Sequence, residues 1–278
     1  MAQISQGGPA HSVWDCHTHI YGPWEQFPVP ADAAYRPEAA PMSSLLAMHE
    51  RLGVTHGVIV QAACYRHDHS ALLAAIAATG GTYRGVALVD DKTDDGTLRA
   101  LHAGGVRGIR FNFMGHLPGE RDTDKLLRTA ERVAALGWHV LLHGRLAELL
   151  PVLDGWAGVD IPMVIDHMAR PSLQTPWTDD QRDALLAHLG NPHRWIKLSG
   201  VDRFAGGDAH AWPDARTLAR RLLDAAPDRA IWGTDWPHPN IEGAAPDDLA
   251  LLTFIRDLCS DDALARAVLA DNPLRLYG

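Results

Sequence analysis

Cysteine is scarce in this chain. Its three residues, Cys16, Cys64 and Cys259, are an odd number at wide spacing, which excludes a disulfide framework and a zinc ribbon. Long apolar runs are missing too: no window approaches the about 18 uncharged apolar residues of a membrane-spanning helix. No basic segment precedes an apolar stretch at Met1, so an export signal is not expected. Positive charge is in deficit, with 25 Lys and Arg against 34 Asp and Glu and a net charge of −9. Without a basic stripe to displace counterions from phosphate, neither a nucleic acid nor a membrane surface is an expected partner. Internal repeats, low-complexity tracts and linkers are also lacking. The expectation is a soluble, cytoplasmic protein with one domain spanning 1–278.

What is present fits a folded globular chain. Hydrophobic residues make up 46% and charged residues 21% of 278 positions, enough to bury a sizeable core without a metal or disulfides. Sixteen histidines and nine tryptophans are high for this length. Histidine titrates near neutrality and is the commonest metal ligand, so its placement is informative.

Short apolar, β-branched runs recur at regular intervals. They predict strands at Val13–Ile20, Gly57–Ala62, Tyr83–Val89, Val106–Phe111, Trp138–His143, Pro162–Asp166, Trp195–Ser199 and Ala230–Thr234. Between them, apolar residues at helical spacing predict helices at Met42–Leu52, His69–Thr79, Thr97–Ala103, Lys125–Leu136 and Leu146–Trp156. Further helices are predicted at Asp179–Leu189, Asp214–Ala225, Pro246–Leu258 and Asp262–Leu269. About eight strand–helix units predict a (β/α)8 TIM barrel. A doubly wound sheet also alternates, but it usually carries a glycine-rich phosphate loop after strand one, where this chain has Cys16-His17-Thr18-His19. The proline-rich stretch from Tyr21 to Pro41 is too long for an ordinary connection and reads as a binding loop.

In a barrel the active site lies where strand C-termini meet the loops. His17 and His19 end strand one, and positions i and i+2 on a strand share a face. Arg110 ends strand four, His143 ends strand five, strand six runs into Asp166-His167, and Asp235 ends strand eight. His17, His19, His143, His167 and Asp235 therefore gather at one end as ligands or acid–base groups. His69, His102, His188 and His193 fall on helices or connections and read as surface residues.

Asp15-Cys16-His17-Thr18-His19, Ile165-Asp166-His167-Met168 and Trp232-Gly233-Thr234-Asp235-Trp236-Pro237-His238 resemble the amidohydrolase superfamily. Within it, Gly105 to Phe113, Leu136 to Val140 and Asp271-Asn272-Pro273 resemble the lactone-hydrolysing branch of 2-pyrone-4,6-dicarboxylate hydrolases. The resemblance spans nearly the whole chain and implies a lactonase of aromatic-compound degradation acting on an anionic lactone. It implies Asp235 as general base, with His17, His19 and His167 polarising the carbonyl. It also implies substrate contacts from Tyr35, Arg110 and Arg203, and, in the stretches it covers, from His116, His238 and Asn240.

Two versions of the chemistry remain open. In one, no metal is needed. In the other, His17, His19, His143 and Asp235 hold a single zinc, which acts as Lewis acid and lowers the pKa of water. Arg110 stands where binuclear relatives place a bridging ligand, and its charge argues against a metal pair. A buried guanidinium is costly without an anionic partner, so Arg110 and Arg203 are expected to share a cavity for an anionic substrate. Gly115-His116 stands where the family has a further arginine, which leaves sugar-acid and sulfonated lactones as competitors. A lactone isomerase, a superfamily decarboxylase and a non-enzymatic binding protein are the remaining alternatives.

Overall fold

The computed structural model describes residues 12–278 except 32, 34, 116, 118, 173, 205–211 and 242–244. Eight parallel strands follow one another around a single sheet in sequence order, β1 to β8. They are β1 (Trp14–Thr18), β2 (His56–Val60), β3 (Tyr83–Ala87), β4 (Val106–Asn112), β5 (His139–His143), β6 (Met163–Ile165), β7 (Arg194–Lys197) and β8 (Ala230–Ile231). The backbone hydrogen bonds Cys16 N–Trp232 O (2.8 Å), Asp235 N–His17 O (2.9 Å) and His19 N–Trp236 O (2.8 Å) join the far edge to β1. The ring is thus a TIM barrel. Helices α1 (Met42–Leu52), α2 (Ser70–Ala77), α3 (Asp95–Ala103), α4 (Thr123–Ala134), α5 (Leu146–Gly155) and α6 (Asp179–Leu189) alternate with the strands. The short α7 (Val201–Phe204), then α8 (Trp212–Ala225) and α9 (Asp248–Leu258), flank β8. Among the described residues, no helix is long and apolar enough to cross a membrane.

Strand pleating sorts the side chains. Ile59, Ile109, Val140, Leu142, Ile165 and Ile196 face outward into one cluster with helix residues such as Leu101, Leu149 and Leu185. Val58, Val60, Val86, Leu141, Val164 and Ile231 face inward with Trp14, Cys16 and Tyr277. Each strand buries both faces, as parallel sheets do. On β7 the same parity sends Trp195 inward and Ile196 outward, which aims Lys197 into the barrel.

The strands are shorter than their apolar runs. β6 stops at Ile165 rather than Asp166, because a tight turn begins there, and β8 pairs over two residues only. The first loop is closed rather than open: Tyr21 and Ala40 exchange backbone hydrogen bonds of 3.0 and 2.7 Å. Its Tyr21, Val29 and Ala40 bury against Ala62, Cys64 and Tyr65, so the loop forms a packed wall of the barrel mouth.

Candidate active site

The site begins with an irregularity in β1. Asp15 pairs with Gly57 and Thr18 with Ile59, so β1 carries one extra residue over this span. Such a bulge re-aims side chains. Before it Asp15 points outward, 3.1 Å from His49 Nε2 on α1; after it His17 and His19 point into the barrel. Asp15 fixes the bulge by accepting from His17 N (3.0 Å), Thr234 N (3.0 Å) and Thr234 Oγ1 (2.6 Å). This outward carboxylate therefore ties the ends of β1 and β8 together. Gly233 lets them approach: a Cβ there would lie 2.5 Å from His17 N.

Around the mouth, side chains from four strand ends converge. His17 Nε2 lies 3.3 Å from His19 Nε2, and Asp235 Oδ1 lies 3.6 and 3.5 Å from these two nitrogens. His167 Nε2 is 4.0 Å from the same oxygen. The other carboxylate oxygen is committed to Arg203, at 2.8 Å from Nε and 2.6 Å from Nη2. Asp235 is 2% exposed, and burial alone would raise its pKa. Against burial, the Arg203 guanidinium together with His167, His19 and His17 holds the carboxyl well below the usual carboxylate range. Arg203 thus orients the carboxylate.

His167 is delivered by unusual backbone. His167, Met168, Ala169 and Arg170 have φ of 47°, 54°, 57° and 50°, a left-handed turn with no glycine. Each such residue costs about 1–2 kcal/mol, a strain that the surrounding contacts must outweigh. His167 Nδ1 is 2.8 Å from Ser199 Oγ, and Nε2 is 3.4 Å from Asp166 Oδ2. Gly200, at φ +76°, leaves the room the ring needs, since a Cβ there would sit 3.3 Å from His167 Cβ.

Beneath these groups lies a buried charge cluster. His17 Nδ1 is 3.1 Å from Asp166 Oδ1 and 3.2 Å from Lys197 Nζ, and Lys197 Nζ is 3.4 Å from Asp166 Oδ1. All three side chains are fully buried. Burial lowers the His17 pKa to about 4 against the opposing pull of Asp166, so the ring is neutral at pH 7. Burial also holds His143 and His167 well below the ordinary histidine value.

The donor set fits a metal ion. His19 Nδ1 lies 2.7 Å from Val60 O, a pure acceptor, so Nδ1 carries the proton and Nε2 a lone pair. A tetrahedral ion with ligands at about 2.0–2.1 Å spaces them by about 3.3–3.4 Å, close to the 3.3, 3.5 and 3.6 Å found. His17 with Asp166 behind it matches the carboxylate–histidine arrangement that orients metal ligands. His17, His19 and Asp235 would hold the ion, and His17, Asp166 and His167 form a second possible group.

The structure does not bring every sequence-predicted residue into this cluster. His143, expected as a fourth ligand, stands outside both groups; its Nδ1 is 3.0 Å from Asn112 Oδ1 and its buried Nε2 has no partner among the described residues. Arg110 and Arg203 line different cavities. Arg110 donates to Gln61 O (3.0 Å), has no partner for Nε among the described residues, and borders a cavity of about 450 Å³ with Asn112, Ala63 and Lys92. Arg203 borders a cavity of about 160 Å³. Tyr35, His238 and Asn240 line a third, under the first loop. His69, His102, His188 and His193, expected on the surface, are half-buried. His116 lies outside the described residues.

Asp166, Lys197, Ser199 and Arg170 entered no sequence-based site. A signal existed for Lys197, a charge inside the apolar run Trp195-Ile196-Lys197-Leu198, and for Asp166, adjacent to a strand-end histidine. Nothing local marks Arg170.

Known proteins resemble this chain throughout. The amidohydrolase family model matches residues 14–278. A 2-pyrone-4,6-dicarboxylate hydrolase of Comamonas testosteroni is 37% identical, covering 97% of this chain and 90% of that protein. A 4-sulfomuconolactone hydrolase of Rhizobium radiobacter is 33% identical over 96% of this chain and 90% of its own length. Among solved structures, a probable 2-pyrone-4,6-dicarboxylic acid hydrolase of Acinetobacter baumannii, with citric acid bound, superposes with a TM-score of 0.83. It shares 26% identity, and the match covers 96% of this chain and 99% of that one. With family model and relatives agreeing over nearly its full length, the chain belongs to the amidohydrolase family.

Proposed function

We propose that this protein hydrolyses the ring ester of a carboxylated lactone, with Asp235 as general base. The observation that carries the reading is the facing of Asp235 Oδ1 by the Nε2 atoms of His17, His19 and His167, while Arg203 occupies Oδ2. One oxygen is fixed, and the other is left to take a proton.

Water held at Oδ1 attacks the lactone carbonyl and gives its proton to Asp235. The carbonyl oxygen becomes an alkoxide that needs a hydrogen-bond donor. His167 can meet that need: with a Ser199 hydroxyl donating to Nδ1, the proton stays on Nε2, which lies 4.0 Å from Asp235 Oδ1. His17 and His19 shape the other side of the same space. The ring C–O bond then breaks, and Asp235 returns its proton to the leaving oxygen, so lactone and water yield one hydroxy or keto acid. A divalent ion on His17, His19 and Asp235, with zinc the best match to the donors, would supply a Lewis acid and a more acidic water.

The named activities of the relatives support an anionic ring as substrate, and so does a buried Arg110 whose Nε has no partner among the described residues. The test is turnover of 2-pyrone-4,6-dicarboxylate and of 4-sulfomuconolactone, followed by acid release and product mass. Hydrolysis adds the mass of one water. An unchanged mass identifies an isomerase, carbon dioxide release identifies a decarboxylase, and either result overturns the proposal.

A further inference from the structure

The left-handed turn after β6 places a second functional side chain one turn beyond His167. Arg170 follows His167 by three residues, and both line the cavity of about 160 Å³ with Arg145, Ser172, Gly200 and Arg203. That volume matches about five waters' share of the liquid, room for a small charged group and part of a ring. The three guanidiniums around it are not equivalent. Arg203 is spent on Asp235 and on Pro239 O, at 3.0 Å. Arg170 is half-buried, and among the described residues its guanidinium makes no hydrogen bond or ion pair. The nearby carboxylates are taken: Asp235 by Arg203, and Asp166 by His17 and Lys197. Arg145 adds positive charge at the exposed rim.

We infer that Arg170 is the binding residue for an oxyanion substituent of the lactone, a carboxylate or a sulfonate, with Arg145 as its outer partner. The inference rests on the lactone-hydrolase reading and adds to it a specificity residue. A planar guanidinium donates two parallel hydrogen bonds to such a group. Since His167 lines the same cavity, an anion held by Arg170 sets the ring against the side chain that receives the developing alkoxide. The sequence reading gave this task to Arg110 and Arg203 together, and it is the share of Arg203 that changes hands. The geometry moves it to Arg170, because Arg203 already has its anion.

The test uses the whole protein and two unreactive ring acids, benzene-1,3-dicarboxylate and 3-sulfobenzoate, titrated by calorimetry. Arg170→Met should weaken binding of the preferred acid about ten- to a hundredfold, the usual loss for a charge-assisted contact. Arg170→Lys should recover part of it and controls for loss of the fold. The preference between the two acids separates carboxylate from sulfonate. In parallel, the ratio of kcat/KM for a carboxylated lactone over its uncharged parent should collapse in Arg170→Met. If Arg170→Met binds both acids with wild-type affinity while the wild type hydrolyses lactones, the subsite is wrong and the lactonase reading stands. If acid binding depends on Arg170 but no lactone is turned over, the subsite stands and the lactonase reading falls.

Discussion

Lys197 Nζ lies 3.2 Å from Nδ1 of His17, inside the barrel and away from solvent. An ammonium has only donors, so this contact asks His17 to keep a lone pair on Nδ1 and its proton on Nε2. Asp166 Oδ1, at 3.1 Å, asks the opposite. When Lys197 prevails, His17 Nε2–H donates to the Nε2 lone pair of His19, whose Nδ1–H donates to Val60 O, and the chain is satisfied unaided. When Asp166 prevails, two lone pairs and a carboxylate oxygen face one another, a set that only a cation or an added proton completes. The balance between two buried neighbours of one ring would thus set how readily His17, His19 and Asp235 hold a metal.

Asp166→Asn should therefore lower zinc affinity about 10–100-fold, the usual effect of removing a histidine's orienting partner. Lys197→Met should raise it. Calorimetric titration of chelator-treated protein with zinc reads both directly, with thermal melts as a fold control. Equal affinity in all three proteins would remove Lys197 and Asp166 from the account of the metal.

Arg203→Met should lower kcat more than it raises KM. The guanidinium holds the Asp235 carboxyl down against burial, so its removal lets the pKa rise and moves the acid limb of the rate profile to higher pH. A loss confined to KM, with the acid limb unmoved, would return Arg203 to the role of substrate contact.

Acid should destabilise the fold before carboxylates protonate. Burial lowers His17 to about 4 and His139 to about 3, against about 6.5 in an unfolded chain. Because the folded values are depressed, each group's contribution is complete above about pH 6.5. It is lost as pH falls toward the folded values, by about 1.4 kcal/mol per pH unit. For the two groups together, a drop from pH 6.5 to pH 5 is about 3 kcal/mol, or roughly 10 °C in Tm for a chain of this size. Differential scanning calorimetry across this range checks the slope, and a Tm flat from pH 7 to pH 5 would contradict it.

The sequence revealed the barrel and the strand ends because both rest on local rules. Alternating apolar runs mark strands and helices, and the C-terminal ends of β1, β6 and β8 with the residues just after them carry His17, His19, His167 and Asp235 in recognisable contexts. What escaped depends on relations between distant segments. The β1 bulge exists only relative to β2, and its latch joins Asp15 to Thr234. Arg203 was legible as a cation near the site, but its partner Asp235 comes from the next strand end, so a substrate contact and a carboxylate clamp read alike. The turn holding His167 and Arg170 has no glycine to announce its left-handed backbone. Tertiary contacts impose that conformation, and local sequence does not encode it.

The central claim is that Oδ1 of Asp235 takes the proton from water. Asparagine is nearly isosteric and keeps an oxygen for Arg203, but its amide cannot accept that proton. The decisive measurement is kcat of Asp235→Asn on a carboxylated lactone, with binding of an unreactive ring acid measured on the same protein. The account predicts a kcat loss of about 10²–10⁴-fold with acid binding close to wild type. Near wild-type turnover by Asp235→Asn would contradict it and make His167 the leading base.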